Sequence, residues 1–444
     1  IRAKASLAFA ERIEAYARSL AERGAEFRTL KRGDKTLLPA SALKNMFYGE
    51  FAGQRPPHRL ESMREKVLGL VEEKERQVAV KLFRKWVKTP KYLGTDEELK
   101  RMSLAKARQI YLPVRRIAES LDFVDMAGTY LSMLSAFAAE GGSPENADAS
   151  WAEIAEDTKR RFAEGGPIPY EDAVPMLYLL EALHGASRMN RIRHVVVDEA
   201  QDYSPLEWAY LKRLFPNAGW TAVGDANQAI HGSAAAGGVQ AALPLFPAEE
   251  TAVVRLGRSY RTTRQIFAFA SALLPDGERA EPFERDGPPP ELTVLEDDPD
   301  AAAGFAAERI ERLRGEGYAS VAVIAKTAQE ALDAHRRLVR RGVRAVHLTK
   351  EAAVFPRGVV VLPSYLAKGL EFDAVLVWSA GDAAYGKEDE RKLLYTVCTR
   401  ALHRLMLIVR GTPSRLLGAV PRDLYVCAAQ AGGAAVSGTF TIST

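Results

Sequence analysis

The chain has 444 residues, of which 47% are hydrophobic and 27% are charged, and its formal net charge is +4. This length suits roughly two to four domains, and the composition excludes a disordered or fibrous protein. Two cysteines, Cys398 and Cys427, are too few for a disulfide framework and fit a reducing cytoplasm. No apolar run is long enough to span a membrane, and the mildly basic charge permits contact with nucleic acid without requiring it.

The first 150 residues show mainly helical patterns. Residues 1–24 predict an amphipathic helix, and apolar residues recur at helical spacing over 60–86 and again over 96–138. An interruption is expected near Pro113. Together the last two stretches form a helical segment, 56–145, that is either a solvated bundle or an arm that binds a partner.

Beyond residue 150, apolar runs typical of strands alternate with helical patterns, which indicates parallel sheets covered by helices. The predicted strands are 194–198, 220–223, 252–256, 321–325, 359–362, 374–378 and 404–409. The predicted helices are 152–164, 171–184, 205–214, 263–274, 301–314, 328–341 and 390–403. The Pro- and Gly-rich residues 275–290 are expected to form a surface connection.

The most informative segment is 194–202, where three valines run into the adjacent carboxylates of Asp198 and Glu199. Such runs suit a strand buried on both faces of a parallel sheet, and ligands bind at the carboxyl ends of these strands. One carboxylate there can hold Mg²⁺ while the second orients or deprotonates an attacking water. The alternative is an acidic turn. A capping box over 204–207 places the pair between a strand and a well-capped helix.

Other polar side chains follow apolar runs further along the chain. Asp225 ends a predicted strand, and Gln228, three residues later, can hydrogen-bond a γ-phosphate or an attacking water, or belong to a polar turn. Arg261 precedes a predicted helix, as a phosphate ligand or as one partner of a surface salt bridge. Arg400 is placed on a predicted helix that is otherwise apolar on one face, and an anion would offset its desolvation.

These segments, taken in order, resemble motifs II to VI of the UvrD/Rep/PcrA superfamily 1 helicases. The matching segments are 194–202, 223–230, 259–262, 365–373 and 393–401. The resemblance implies an α/β fold with two RecA-like parallel-sheet domains of the P-loop NTPase type. It also implies that ATP binds between these domains and that the helical arm is inserted in the first of them.

The same resemblance implies roles for single residues. Asp198 would bind Mg²⁺, Glu199 would act as the general base, and Gln228 would sense the γ-phosphate. Arg261 and Arg400 would be arginine fingers, which stabilise the charge that develops on the transferred phosphoryl group. The remaining nucleotide-binding residues that it implies are Asp225, Lys368, Gly369 and Glu371.

A closer resemblance is to the HelD-like members of this superfamily, which bind bacterial RNA polymerase and help to clear it from nucleic acid. It covers roughly 150–410 and is carried by 203–205, 211–216, 227–230, 362–368, 394–396 and 398–401. It implies RNA polymerase as a partner, DNA or RNA as further partners, and ATP and Mg²⁺ as ligands. The expectation is a monomeric, cytoplasmic bacterial protein without membrane contact.

Two departures lie on the nucleic-acid side of the motifs. Residues 231–236 contain no aromatic side chain, although translocating members stack a DNA base on one at this point. Pro363 and Tyr365 replace the usual Thr and His of motif V. Both changes favour an ATPase that remodels polymerase over the alternative, an ATP-dependent 3′–5′ DNA helicase of the UvrD type.

A Walker A loop, which would hold the phosphates, does not precede Asp198. Residues 381–387 spell Gly-x-x-x-x-Gly-Lys, but Glu388 cannot supply the hydroxyl that meets Mg²⁺, so we interpret them as a coincidental loop. We expect the Walker A segment to precede Ile1 and the 444-residue chain alone to be inactive. A non-enzymatic module that binds polymerase or nucleic acid is the third interpretation.

The predicted domains follow in chain order. Residues 1–55 are a remnant of the first RecA-like domain, and 56–145 are the inserted arm. Residues 146–256 complete the first domain with motifs II and III, 257–428 form the second domain with motifs IV to VI, and 429–444 are a flexible tail.

Overall fold

The structure is a computed structural model that describes residues 2–88, 95–144, 149–185, 188–228, 238–274, 281–350 and 357–427. The predicted tail and the segment 231–236 lie outside these residues. The chain divides into two compact units, with Ile1–Val223 and Gly232–Phe246 in unit 1 and Gly224–His231 and Pro247–Thr444 in unit 2. The five predicted domain limits stay a prediction.

Unit 1 is mainly helical. Its described helices are α1 (Leu7–Ser19), α2 (Ala40–Asn45), α3 (Pro56–Val87), α4 (Asp96–Glu119), α5 (Met126–Glu140), α6 (Trp151–Glu164), α7 (Tyr170–His184), α8 (Pro205–Leu214) and α9 (Gly238–Ala242). Strands β1 (Leu30–Arg32) and β2 (Lys35–Leu38) pair antiparallel. Strands β3 (His194–Val197) and β4 (Gly219–Ala222) pair in parallel. The predicted helix over 205–214 is confirmed together with its capping box.

Helices α3 and α4 form an antiparallel hairpin. Arg115 of α4 binds the buried Glu75 of α3 at 3.1 Å, whereas Lys100, earlier in α4, lies over the ring of Phe83, later in α3. The 32 residues of α3 span about 48 Å. Its first turns belong to the main core of unit 1 with α1, α5 and α7. The α3–α4 hairpin, which corresponds to the predicted arm, therefore begins in the main core of unit 1.

The interruption that we predicted near Pro113 is wrong, because Pro113 lies inside α4. Pro113 and Gln109 are both exposed, so water can satisfy the Gln109 carbonyl that loses its helical donor. The chain leaves the helix at Ser120 instead, and Leu121 then adopts a left-handed conformation with φ of 62°.

Unit 2 is an α/β unit. Its described strands are β5 (Arg258–Ser259), β6 (Glu281–Pro282), β7 (Glu291–Leu295), β8 (Ser320–Ala325), β9 (Ala345–His347), β10 (Gly358–Pro363), β11 (Phe372–Val377), β12 (Ala401–Arg410) and β13 (Val426–Cys427). Its described helices are α10 (Arg264–Ala272), α11 (Pro299–Gly315), α12 (Ala328–Arg340), α13 (Ser364–Ala367) and α14 (Arg391–Cys398).

Among the described residues, seven strands of unit 2 form one parallel sheet in the order β13-β7-β12-β11-β8-β10-β9. Alternate strand residues enter two separate buried clusters. One cluster packs against α10 and α14, and the other against α11 and α12. The predicted α/β fold with a parallel sheet is confirmed, because the central strands are apolar on both faces.

Two predicted elements of unit 2 differ from the structure. Residues 252–256 form no strand, and Val254 and Leu256 are 79% and 83% exposed. β-branched residues favour a strand only where a partner strand and a packing surface exist. The helix predicted over 390–403 ends at Cys398, because Ala401 already pairs with Phe372 as part of β12.

Membrane-spanning character is absent from the described helices, since none is both long and apolar enough to cross a bilayer.

A buried ionic network ties the N-terminus of unit 1 to its helices. One oxygen of the fully buried Asp172 accepts hydrogen bonds from Lys4 and from Tyr130, and Lys4 also donates to Thr158 at 2.8 Å. Burial, followed by the charge of Asp172, raises the pKa of Tyr130 well above its usual value. The Asp172 carboxylate therefore depends on Lys4 for its compensating charge.

We expect Lys4→Met to destabilise the protein by about 3–5 kcal/mol, because it leaves the buried carboxylate uncompensated. Lys4→Met combined with Asp172→Asn should recover part of this loss. The matched control is Lys66→Met, which removes the exposed pair with Glu50 and should cost less than about 1 kcal/mol. Urea unfolding measures all three, and equal effects at Lys4 and Lys66 would contradict the buried pair.

Candidate functional site

The acidic pair of unit 1 follows β3 directly. The backbone N–H of Val223 donates to the Val197 carbonyl at 2.8 Å, and the Val223 carbonyl accepts from Ala200 N–H at 2.9 Å. Val223, which directly follows β4, therefore bonds to the chain both before and after Asp198 and Glu199. The pair forms a two-residue protrusion at the carboxyl end of β3.

Glu199 has a left-handed backbone, with φ of 50° and ψ of 39°. This conformation costs a residue with a Cβ about 1–2 kcal/mol, and such strain clusters at functional positions. The Glu199 carboxylate accepts a hydrogen bond from the buried Gln201 amide at 2.6 Å. Gln201 was not among our predicted site residues, and its place two residues after Glu199 was the available signal.

Our expectation that β3 is buried on both faces is wrong for the described residues. Val195 and Val197 pack in a cluster with Trp208 and Trp220, but Val196 is 67% exposed. Successive side chains point to opposite faces, and β4 is the partner of β3 among the described strands. Three consecutive valines therefore did not imply two buried faces.

Asp198 fits the role of a Mg²⁺ ligand. It is exposed, and its Oδ1 accepts the Glu199 N–H at 2.8 Å, which orients the carboxylate. Within the described residues, no group of three or more His, Cys, Asp or Glu side chains is placed to hold a metal ion. Protein sites for Mg²⁺ commonly supply one or two carboxylates, and substrate phosphates and waters complete the shell.

The polar site of unit 2 is centred on Arg400, which is fully buried. It lies just beyond the C-terminal end of α14 rather than on the helix, as we had predicted, because extended pairing begins at Ala401. Its Nε donates to the Thr396 carbonyl at 3.0 Å, and its NH1 to the Leu370 carbonyl at 3.4 Å. The negative end of the helix dipole also favours a cation at this position.

Three residues of unit 2 form hydrogen bonds with Gln228. Its amide oxygen accepts from Arg400, and its amide nitrogen donates to Asp225 Oδ2 at 2.9 Å. Lys368 Nζ donates to the Gln228 backbone carbonyl at 3.3 Å. The amide of Gln228 therefore links a buried guanidinium to a carboxylate. We define Asp225, Gln228, Lys368 and Arg400 as the glutamine cluster.

Arg261 and Glu371 form an ion pair of 2.5 Å, in which both side chains are about 40% exposed. Gly369, with φ of 75°, makes the turn that leads to Glu371, and a left-handed turn of this kind favours glycine. The Phe372 N–H, next to Glu371, donates to the Arg400 carbonyl at 3.0 Å. This bond joins the Arg261–Glu371 pair to the glutamine cluster.

Tyr395 lies among these charges and was not predicted as a site residue. Burial raises its pKa above the usual value, the Asp225 carboxylate raises it further, and Arg400 and Arg261 lower it. The charges of Asp225, Arg261 and Arg400 thus all influence the pKa of one tyrosine. An aromatic residue in an apolar helical run gave no sequence signal for this position.

The site of unit 2 lies at the amino ends of two sheet strands. Glu371 directly precedes β11, Arg400 directly precedes β12, and the first pair between these strands is Phe372 with Ala401. Asp198 and Glu199, in contrast, follow the carboxyl end of β3. The predicted residues are thus brought together as two sets, one in each unit.

The loop over 381–387 does not form a phosphate cradle. Its amide groups at 382, 384 and 385 donate to carbonyl oxygens of Thr412 and Gly381. A Cβ on Gly386 would lie 2.3 Å from the Asp382 carbonyl oxygen, so this glycine permits close packing within the loop. The structure agrees with our interpretation of a coincidental match.

The UvrD/REP helicase N-terminal domain model matches residues 10–236, which is just over half of the chain, and the UvrD-like helicase C-terminal domain model matches 358–408. This chain belongs to the UvrD/REP helicase family. The two matches include Asp198, Glu199 and Gln228 in the first region and Lys368 and Arg400 in the second.

Relatives in the UvrD family match parts of the chain. The ATP-dependent DNA helicases UvrD1 of Mycobacterium tuberculosis and Mycobacterium bovis are 24% identical over 319 residues, which cover 63% of this chain and 41% of each relative. DNA helicase II of Escherichia coli is 36% identical over 87 residues, or 19% of this chain and 12% of that protein. The chain thus spans about two fifths of the mycobacterial relatives.

One solved structure is the C-terminal domain of a possible DNA helicase from a Lactobacillus species, at 37% identity. It covers 38% of this chain and 98% of that chain, with a TM-score of 0.34.

We expect Glu199→Gly to be more stable than Glu199→Ala by about 0.5–1 kcal/mol, because glycine adopts the left-handed conformation without the cost of a Cβ. Both variants lack the carboxylate, so their difference in urea unfolding reports the backbone alone. At the exposed helical position Glu65, the same comparison should reverse sign, with alanine better by about 1 kcal/mol. Equal stability of the two variants at 199 would contradict the left-handed conformation.

Proposed function

We propose that the protein is an ATP-driven motor of the UvrD type that acts on nucleic acid. The main support is the glutamine cluster, in which Gln228, Lys368 and Arg400 converge within one unit. Family membership supports the same proposal, as does the pairing of Arg261 with Glu371 at the adjoining strand. The amide of Gln228 and the cationic groups of the lysine and the two arginines carry the hydrogen-bond donors that phosphate recognition needs.

In this proposal a water molecule attacks the γ-phosphorus of ATP, and the bond between that phosphorus and the oxygen bridging it to the β-phosphate breaks. Glu199 accepts the proton of the attacking water, and ADP leaves with the bridging oxygen. Gln228 orients the water or the γ-phosphate, while Arg261 and Arg400 stabilise the charge on the transferred group. Asp198 would hold Mg²⁺, which neutralises phosphate charge when it is bound.

Arg400 and Gln228 hydrogen-bond each other in the structure. A phosphate that engaged both groups would therefore exchange this bond for charge-assisted bonds to its own oxygens, which are stronger than a bond to a neutral amide. We infer that nucleotide binding and the geometry of the glutamine cluster are coupled.

We expect Glu199→Gln to lower ATP turnover by the full-length protein by about 10²–10⁴-fold, the usual contribution of a general base. The glutamine keeps the size of the side chain, so binding of a non-hydrolysable ATP analogue should persist. The control is Glu249→Gln, at an exposed position in a short turn. Unchanged turnover in Glu199→Gln would refute the catalytic assignment.

A second candidate function is the remodelling of RNA polymerase, as in the HelD-like members. It is favoured by the distal part of the α3–α4 hairpin, residues 76–110, which we name the distal arm. The distal arm contains ten basic and three acidic residues, although the whole chain has a net charge of only +4. Val80, Val87 and Met102 are about half exposed there. A surface that combines arginine and lysine with apolar groups suits a large anionic partner.

We expect replacement of residues 76–110 by a short Gly-Ser linker to abolish binding to RNA polymerase while the unit stays folded. The cut keeps the buried residues Val71, Tyr111 and Val114, whereas a deletion of 60–138 would remove core residues such as Met133 and Leu134. Pull-down with purified polymerase measures the effect. Retained binding would contradict the second candidate, and lost DNA binding with no polymerase binding in the parent would favour the UvrD-type helicase.

A further inference from the structure

The backbone around Arg261 is held by a side chain from a separate part of unit 2. Arg261 lies in the loop 260–263 between β5 and α10. The guanidinium of Arg285 donates to the Arg261 carbonyl and, at 3.4 Å, to the Leu402 carbonyl. The Thr263 N–H donates to the same Leu402 carbonyl at 3.3 Å. One guanidinium thus connects the Arg261 loop to β12, two residues after Arg400.

Arg285 is itself fixed by bonds to the start of α10. Its carbonyl accepts the Arg264 N–H at 2.8 Å, and the next residue, Asp286, accepts from the Gln265 amide at 3.1 Å. The Gly287 N–H donates to Gln265 Oε1 at 2.8 Å. A Cβ at 287 would lie 2.5 Å from Thr263 Cγ2, so only glycine permits this approach. The segment 285–287 therefore packs against residues 263–265, which follow Arg261, and hydrogen-bonds with them.

The ion pair with Glu371 cannot fix Arg261 by itself. Both side chains are about 40% exposed, and ion pairs at such exposure contribute little because water competes for them. The bonds from Arg285 to two carbonyls are charge-assisted, and Arg285 is partly buried. The direction of the Arg261 side chain therefore depends chiefly on its backbone, and the backbone depends on Arg285.

We propose that Arg285 is a positioning residue, which holds the loop of Arg261 in register with Arg400 so that both guanidinium groups can act on the same phosphoryl group. This role rests on the proposed function, in which Arg261 stabilises charge on the phosphates of ATP. In this role Arg285 acts through its bonds to the Arg261 and Leu402 carbonyls and not by contact with the nucleotide. Displacement of a catalytic group by about 1 Å lowers a reaction rate on the order of 10²-fold.

The test compares ATP turnover by the full-length protein in Arg285→Ala, Arg285→Lys and Arg258→Ala. Arg285→Ala should lower kcat by about 10²-fold with a smaller change in the KM for ATP. Arg285→Lys keeps a cationic donor that reaches one carbonyl, so it should recover part of the loss. Arg258→Ala is the matched control, because it removes an exposed ion pair between β5 and β6 and leaves the bonds from Arg285 in place, and its kcat should equal that of the parent.

A double variant separates positioning from a general loss of stability. If Arg285 acts through Arg261, then Arg261→Ala with Arg285→Ala should be no slower than Arg261→Ala alone. Losses that multiply, or an Arg285→Ala variant as active as Arg258→Ala, would overturn the positioning role while leaving the proposed function intact. Unchanged turnover in Arg261→Ala would refute both the positioning role of Arg285 and the role of Arg261 as an arginine finger. The thermal midpoint of each variant is measured, and Arg285→Lys replaces Arg285→Ala if the latter does not fold.

Discussion

The site of unit 2 depends on one electrostatic constraint, which is that the guanidinium of Arg400 is buried. A buried cation is costly unless its donors are satisfied and its charge is offset. Here the acceptors include two backbone carbonyls and the amide oxygen of Gln228. The amide nitrogen of Gln228 in turn donates to Asp225. Gln228 thus supplies one of the acceptors that replace water around the buried guanidinium of Arg400.

Backbone hydrogen bonds then connect the segments that carry the other polar groups. Phe372 donates to the Arg400 carbonyl, and Thr263 donates to the Leu402 carbonyl. These bonds use backbone atoms, so the segments that carry Arg261, Lys368 and Glu371 are connected without the use of those side chains. In these short segments of unit 2, backbone atoms connect the strands and loops, and side chains carry the polar groups that we propose act on a ligand.

Much of unit 2 could be predicted from the sequence, because its central strands are continuous apolar runs and its helices are periodic. The limits of α14 could not, since whether Thr399 and Arg400 continue a helix depends on the strand pairing of Ala401. The strand expected over 252–256 failed for the same reason, as β-branched residues need a partner. Asp198, Glu199, Gln228 and Arg400 could be found as a motif series, whereas Arg285 lies in a Pro- and Gly-rich connection whose role appears only in three dimensions.

The protrusion that carries Asp198 and Glu199 has a different consequence. Val223 bonds to Val197 on one side of it and to Ala200 on the other, so its length is fixed at two residues by the strand ladder. An insertion or deletion there would prevent Val223 from bonding to both Val197 and Ala200, while an exchange of side chain would leave both backbone bonds in place. The backbone bonds thus fix how many residues the protrusion contains, whereas the choice of residue at 199 is limited separately by its left-handed conformation.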